Sequence, residues 1–106
     1  MGDDVTLEGL VCHQIVGGPS KEELFEALRL RIEEETALFK IRLESESQLT
    51  PAGEFHLMVE SISLLDDGKG SNWALKLLEP SGKLGSQYLE AQFDTNTSEG
   101  WLRPIR

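Results

Sequence analysis

Residues 54–79 read EFHLMVESISLLDDGKGSNWALKLLE, and this stretch decides the fold class. Apolar residues occupy every second position up to Val59, and the apolar phase then shifts at Ile62. Alternation with a period of two is typical of a strand with one buried face. The shift in phase predicts a β-bulge near Glu60 or Ser61. After a loop rich in Asp and Gly the alternation resumes, which indicates two antiparallel strands.

Strand-like alternation continues on both sides of this pair. We predict strands at residues 5–16, 37–46, 54–65, 72–79 and 86–94. Turn-forming residues separate the later strands, as in Thr50-Pro51-Ala52-Gly53. We expect the tail, residues 95–106, either to add a short edge segment or to stay loose.

One helix is predicted between the first two strands. Ser20 is followed three residues later by Glu23, which is the spacing of a capping box. Leu24 and Leu28 then recur at helical spacing and form part of an apolar stripe. We therefore place a helix at about residues 20–34.

The predicted elements follow one another in the order β-α-β-β-β-β. Short turns join the four later strands, which favours an antiparallel meander with one face packed on the single helix. We predict a two-layer α+β fold with one helix on a meander of four to five strands, in a single domain spanning residues 1–106.

This element order resembles the cystatin-like layout, in which a meander wraps one helix. Cystatin inhibitors insert a Gln-x-Val-x-Gly hairpin and a second hairpin with Pro-Trp into a cysteine protease cleft. The corresponding turn here reads Gln48-Leu49-Thr50-Pro51-Ala52-Gly53, in which the valine is missing and the glycine comes one residue late. Pro80 in the second hairpin has no tryptophan after it. These departures argue against protease inhibition.

Acidic residues are concentrated in the first part of the chain. The 106 residues carry a formal charge of −9, and residues 1–60 hold 13 acids against 5 bases. Such a charge repels the phosphates of nucleic acids and anionic membrane surfaces, and it attracts basic protein surfaces and cations. We therefore expect a basic protein partner, without direct contact to nucleic acid or membrane. Acidity that serves only solubility is the alternative.

Cysteine and histidine are too sparse for a recognisable catalytic or zinc site. Cys12 is the only cysteine, which favours a reducing, cytoplasmic location. His13 follows it directly, and adjacent strand residues point to opposite faces, so a Cys–His nucleophile pair is not expected. We predict that Cys12 is structural, that the protein is not an enzyme and that it needs no cofactor.

Calcium is the one metal for which the sequence offers candidate ligands. Asp66 and Asp67 stand together in the loop before Gly68, and carboxylates in acidic loops are calcium ligands. The loop lacks the EF-hand spacing, and Asp-Gly is also a common hairpin turn. A calcium site at Asp66 and Asp67 is an alternative hypothesis.

The leading hypothesis is a small binding protein that acts by stoichiometric contact with a basic protein surface. It would be an inhibitor, an immunity-type protein or an adaptor. One version of this hypothesis is nucleic acid mimicry, in which the carboxylates stand in for phosphates. The contacting residues we predict are Glu22, Glu26, Glu33, Glu34, Glu35 and Trp101. A calcium-binding acidic protein and a small-ligand-binding α+β domain are the alternatives. The oligomeric state is left open, and a monomer is acceptable.

Overall fold

The computed structural model of the chain describes residues 5–7, 10–44, 52–66 and 69–105. These residues form seven strands and one helix. Their bounds are β1 Val5–Leu7, β2 Leu10–Gly17, α1 Lys21–Ile32, β3 Leu38–Leu43, β4 Gly53–Leu64, β5 Asn72–Leu78, β6 Tyr88–Asp94 and β7 Glu99–Pro104.

Six of the strands close into an antiparallel barrel. Consecutive strands from β2 to β7 are paired, and β7 returns to β2 through the pairs His13–Leu102 and Ile15–Gly100. Among the residues that the structure describes, β1 pairs with β2 alone and lies outside the ring. The prediction of an α+β fold, with one helix on a meander of four to five strands in a cystatin-like layout, is therefore wrong.

Two local differences account for this correction. The stretch predicted as one strand at residues 5–16 is a pair of antiparallel strands, β1 and β2. The tail that was expected to be an edge segment or loose contains β7, which pairs with β6 on one side and β2 on the other. Because β7 has partners on both edges, the meander closes on itself instead of wrapping the helix.

Several local predictions are confirmed. The strands predicted at 37–46, 54–65, 72–79 and 86–94 correspond to β3, β4, β5 and β6. Val59 pairs with Leu77 and Ser61 with Lys76, so Glu60 is the extra residue of the predicted bulge. The capping box is also present, since Ser20 Oγ accepts from the Glu23 N–H and the Glu23 carboxylate accepts from the Ser20 N–H, both at 3.2 Å.

The pairing around the barrel is strongly staggered, which explains the length of β4. Followed through β7, β6 and β5, the row containing Ile15 reaches Leu64 at the end of β4. Followed through β3, Ile15 pairs with Leu43, which pairs with Gly53 at the start of β4. Closed barrels require this kind of stagger, and it tilts the strands relative to the barrel axis.

Apolar side chains fill the interior of the barrel. Those that point inward from the six strands are Ile15, Phe39, Ile41, Leu43, Leu57, Val59, Trp73, Leu75, Leu77, Leu89, Ala91, Phe93 and Leu102. They form one continuous core, with the hydrophobic effect as its main stabilising contribution.

The helix extends this core from one side. α1 packs on β4, with Leu24 and Ala27 buried in the core. Phe25 packs its ring against Trp73 at 5.0 Å between centroids and almost perpendicular to it, which is a favoured aromatic geometry. Within the residues that the structure describes, no helix has the length and apolarity that crossing a membrane requires.

Candidate functional site

Trp101 lies on the outer face of the barrel, at the centre of a row of polar side chains. It pairs with Gln92 of β6 on one side and Gln14 of β2 on the other, and paired residues share a face of the sheet. The flanking residues Gly100 and Leu102 are buried inside the barrel, so the Trp101 ring points outward and is half-buried. Trp101 is therefore available for contact with a ligand.

Two carboxylates face each other beside this ring. Asp94 of β6 pairs directly with Glu99 of β7, and Asn72 of β5 is the next residue across. Within the described part of the chain, neither carboxylate forms an ion pair. Like charges directly opposite each other destabilise a sheet, so a bound cation would relieve this repulsion.

These residues line a hollow of about 470 Å³, called the Trp101 hollow below. The polar side chains in its lining are Gln14, Asn72, Gln92, Asp94, Thr97 and Glu99, and its aromatic residues are Trp73, Phe93 and Trp101. Among the described residues that line it there is no lysine, arginine or histidine. An aromatic ring beside carboxylates and amides suits a ligand that carries a positive charge.

A second hollow of about 470 Å³ adjoins the first and shares Trp101 with it. Arg103 lines this second hollow, donates to the Glu90 carboxylate and places its guanidinium 5.6 Å from the centre of the Trp101 ring. Arg103 is absent from the lining of the Trp101 hollow. The guanidinium of Arg103 thus lines the second hollow, where the Glu90 carboxylate neutralises it.

The acidic residues predicted on the helix are partly neutralised by the helix itself. Glu22, Glu26 and Glu33 follow one stripe along α1, and Arg29 lies in the same stripe. Arg29 Nε donates to Glu26 Oε2 at 3.1 Å, and its Nη1 donates to Glu33 Oε2 at 2.7 Å. The hydrogen bond from Arg29 lowers the pKa of Glu26. These two carboxylates are therefore already paired with a cation.

The other two acidic residues of the predicted patch end the helix. Glu34 adopts a left-handed backbone with φ 61°, its N–H donates to the Arg31 carbonyl, and the Glu35 N–H donates to the Leu30 carbonyl. This pair of bonds is the Schellman motif that commonly terminates helices. Both side chains are exposed, and the structure explains the acidic triplet by its position at a turn.

The Asp66 carboxylate forms hydrogen bonds with backbone N–H groups of its own loop. Its two carboxylate oxygens accept from the Gly70 N–H at 3.2 Å and from the Ser71 N–H at 2.8 Å. Asp67 lies outside the described residues. In the described part of the chain no group of three His, Cys, Asp or Glu side chains is arranged to hold a metal ion. Calcium binding here stays a prediction, as does a small-ligand site.

Cys12 and His13 point to opposite faces of β2, as expected. His13 pairs with the inward-facing Leu102 and is buried, whereas Cys12 contributes to the lining of the Trp101 hollow from the outer face. Burial raises the pKa of the Cys12 thiol despite the nearby Arg103. A protonated, buried thiol is a poor nucleophile.

Sequence reasoning singled out Trp101 but missed the residues around it. Asp94 and Glu99 are separated by a turn that the sequence signals only weakly, in Asp94-Thr95-Asn96-Thr97. In the structure the Asn96 N–H donates to Asp94 Oδ1 at 2.8 Å, an Asx turn that leads into β7. Reading this turn as a hairpin would have placed both carboxylates next to Trp101.

Comparison of this chain with protein-family models, with curated proteins and with solved structures finds no match in any of the three.

Proposed function

We propose that this protein is a non-enzymatic binding protein that holds a basic protein partner by stoichiometric contact, as an inhibitor, immunity-type protein or adaptor. The site is the Trp101 hollow, into which the partner inserts a lysine or arginine side chain. The observation that carries the proposal is the opposed pair Asp94–Glu99 beside a half-buried tryptophan, with no cation of the described chain between them.

Three features of the hollow support recognition of a cation. Two carboxylates supply charge-assisted hydrogen bonds, which are about twice as strong as neutral ones. The Trp101 ring offers a surface that attracts a cation, as the stacking of Arg103 on the same ring illustrates. The amides of Gln14 and Gln92 flank the ring and supply further donors and acceptors.

The remaining acidity of the chain supports a role in attracting the partner. A formal charge of −9 accelerates the approach of a basic protein and makes the association sensitive to salt. Glu22, Glu34 and Glu35 belong to this long-range field in the proposal, instead of forming the contact surface. The single, buried, free Cys12 supports a reducing, cytoplasmic location.

Two matched double variants test this assignment, since each removes two negative charges. Asp94→Asn with Glu99→Gln changes the hollow, and Glu34→Gln with Glu35→Gln changes the helix end. An oligo-arginine peptide is titrated into each protein and followed by calorimetry and by tryptophan fluorescence. We expect the hollow variant to bind about tenfold or more weakly, because each exposed charge pair contributes up to about 1 kcal/mol. The helix variant should change affinity by less than about twofold.

Equal loss of affinity in the two double variants would contradict the proposal, because it would reduce the interaction to net charge. The same proteins then serve as bait in a lysate of the source organism, washed at low and at high salt. A basic protein retained by the parent and by the helix variant, but lost from the hollow variant, identifies the partner. Binding that does not weaken at high salt would also count against the proposed site.

A further inference from the structure

A continuous row of apolar side chains crosses the outer face of the barrel. On β5 and β6 it lies two residues along the strand from the row formed by Arg103, Glu90 and Lys76. Pairing places Leu38 beside Met58, Met58 beside Leu78, and Leu78 beside Tyr88. The Ile105 N–H donates to the Tyr88 carbonyl at 2.9 Å and extends the row beyond β7. The members of this apolar row are Leu38, Met58, Leu78, Tyr88 and Ile105.

Three of the five members of the row are exposed, and Leu78 and Ile105 are half-buried. Leu38 is 66% exposed, Tyr88 40% and Met58 37%. Single exposed apolar residues are common on protein surfaces, but a contiguous row that crosses the four strands β3 to β6 and continues to the residue after β7 indicates an interaction surface. We propose that the apolar row is the contact surface of a homodimer.

Charge points to a second copy of this chain as the occupant. The chain carries −9 overall, so two copies repel each other at most orientations. The surface beside the apolar row is locally balanced, because three cations there are matched by three carboxylates, with Lys40 paired to Glu54 and Arg103 to Glu90. The remaining two are Glu60 and Lys76, and the Lys76 ammonium lies 4.9 Å from the centre of the Tyr88 ring. Two copies can therefore approach through this face without net repulsion.

The order of charges also suits a two-fold axis. Lys76 of β5 pairs with Glu90 of β6, two residues along each strand from Leu78 and Tyr88. An axis parallel to the strands and between β5 and β6 brings Lys76 of each copy opposite Glu90 of the other. The same axis brings Leu78 opposite Tyr88. A two-fold interface must be self-complementary in this way.

Two matched substitutions test the surface. Met58→Glu adds a negative charge to the apolar row, and Ile32→Glu adds the same charge to α1, where Ile32 is 73% exposed. Sedimentation velocity is measured from about 1 μM to about 1 mM protein. We expect the parent chain and the Ile32 variant to form dimers, and the Met58 variant to dimerise about tenfold or more weakly. A monomeric parent at every concentration, or equal effects of the two variants, would overturn the proposal.

A charge exchange tests the two-fold arrangement, and far-UV circular dichroism checks that both variants fold, because Glu90 is half-buried and accepts from Arg103. Lys76→Glu alone and Glu90→Lys alone each place like charges opposite each other across the axis, so each should weaken the dimer by about fivefold or more. An equimolar mixture of the two variants restores both opposite-charge contacts in the heterodimer and should regain the parent affinity. A mixture no tighter than the separate variants would overturn the arrangement.

This inference is independent of the proposed function and can fail separately from it. The Asp94→Asn, Glu99→Gln protein should dimerise like the parent, and the Met58→Glu protein should bind oligo-arginine like the parent. Salt provides a further contrast, because screening weakens the binding of a cation and reduces the repulsion between two acidic copies. Dimerisation that weakened with salt as steeply as oligo-arginine binding would count against the apolar row.

Discussion

Trp73 and Trp101 lie on the same wall of the barrel but on opposite faces. Trp73 points inward from β5, is fully buried, donates its indole N–H to the Gly70 carbonyl at 2.9 Å and meets the edge of Phe25. Trp101 points outward from β7, is half-buried and borders two hollows. The difference teaches that the parity of a strand position decides whether a tryptophan is buried in the core or presented at the surface.

The largest expected effect separates these two roles directly. Trp73→Ala should lower the free energy of unfolding by about 3–5 kcal/mol, because it removes a large buried side chain and leaves a cavity. Trp101→Ala should lower it by about 1 kcal/mol, because its side chain is half-buried and on the outer face. Urea denaturation followed by far-UV circular dichroism measures both changes.

The binding readout should reverse the ranking of the two tryptophans. Trp101→Ala should lose measurable affinity for oligo-arginine. A folded Trp73→Phe protein should retain it, because Trp73 borders the Trp101 hollow but is fully buried and offers no surface to a ligand. If Trp101→Ala destabilised the chain as much as Trp73→Ala, Trp101 would be a packing residue and the outer site would lose its main support.

The second prediction concerns the residue next to Trp101 on the inner face. A Cβ on Gly100 would come within 2.5 Å of a Phe93 ring carbon and 2.9 Å of the Gln92 carbonyl oxygen. Gly100→Ala should therefore cost about 1–3 kcal/mol, as overpacking of a filled core does. Thermal unfolding and urea denaturation measure the loss. Unchanged stability would mean that β7 can move away from β6 without breaking the barrel.

Local patterns in the sequence were sufficient for most of the strands. The alternation around Val59 and Ile62 predicted both β4 and its bulge at Glu60, because side-chain burial in a sheet has a period of two. The capping box of Ser20 and Glu23 predicted the start of the helix, because it depends only on neighbouring residues.

Closure of the barrel could not be predicted from local patterns. The inward positions of β7 are Gly100, Leu102 and Pro104, so its apolar alternation is hidden by a glycine and a proline. Its pairing with β2 joins residues at opposite ends of the chain, and nothing in either segment specifies the other. For the same reason Trp101 was predicted as a contact residue, while its neighbours across the strands were not.

The third prediction is that acid lowers the stability of the folded chain through Asp66, which lies in the loop before Trp73. Partial burial raises the pKa of Asp66, but hydrogen bonds from Ser71, Asn72 and Gly70 outweigh this effect and hold the pKa below its usual value. A depressed pKa in the folded state stabilises the protein above the ordinary Asp pKa of about 4, and this contribution is lost as the pH falls through the folded pKa.

Asp66→Asn should therefore destabilise the chain near neutral pH and have little effect in acid. Urea midpoints of the parent and the variant are compared at about pH 7 and about pH 3, where the difference should shrink. The Gly70 N–H donates to Asp66, and the Gly70 carbonyl accepts from the Trp73 indole N–H. Fluorescence of the buried tryptophan should therefore report the change. A difference that grew in acid would contradict this role.

The smallest expected effect lies outside both faces of the wall, at the end of α1. Glu34 has φ 61°, a left-handed backbone that costs a non-glycine residue about 1–2 kcal/mol. Glu34→Gly should therefore stabilise the chain by about 0.5–1 kcal/mol, after the greater freedom of glycine in the unfolded chain is taken into account. Glu35→Gly is the matched control, since it removes the same charge without a left-handed backbone to relieve, and it should give no gain. A gain in both variants would assign the effect to charge repulsion among Glu33, Glu34 and Glu35 instead of to backbone geometry, and the acidic end of the helix would then be strained by its own charge.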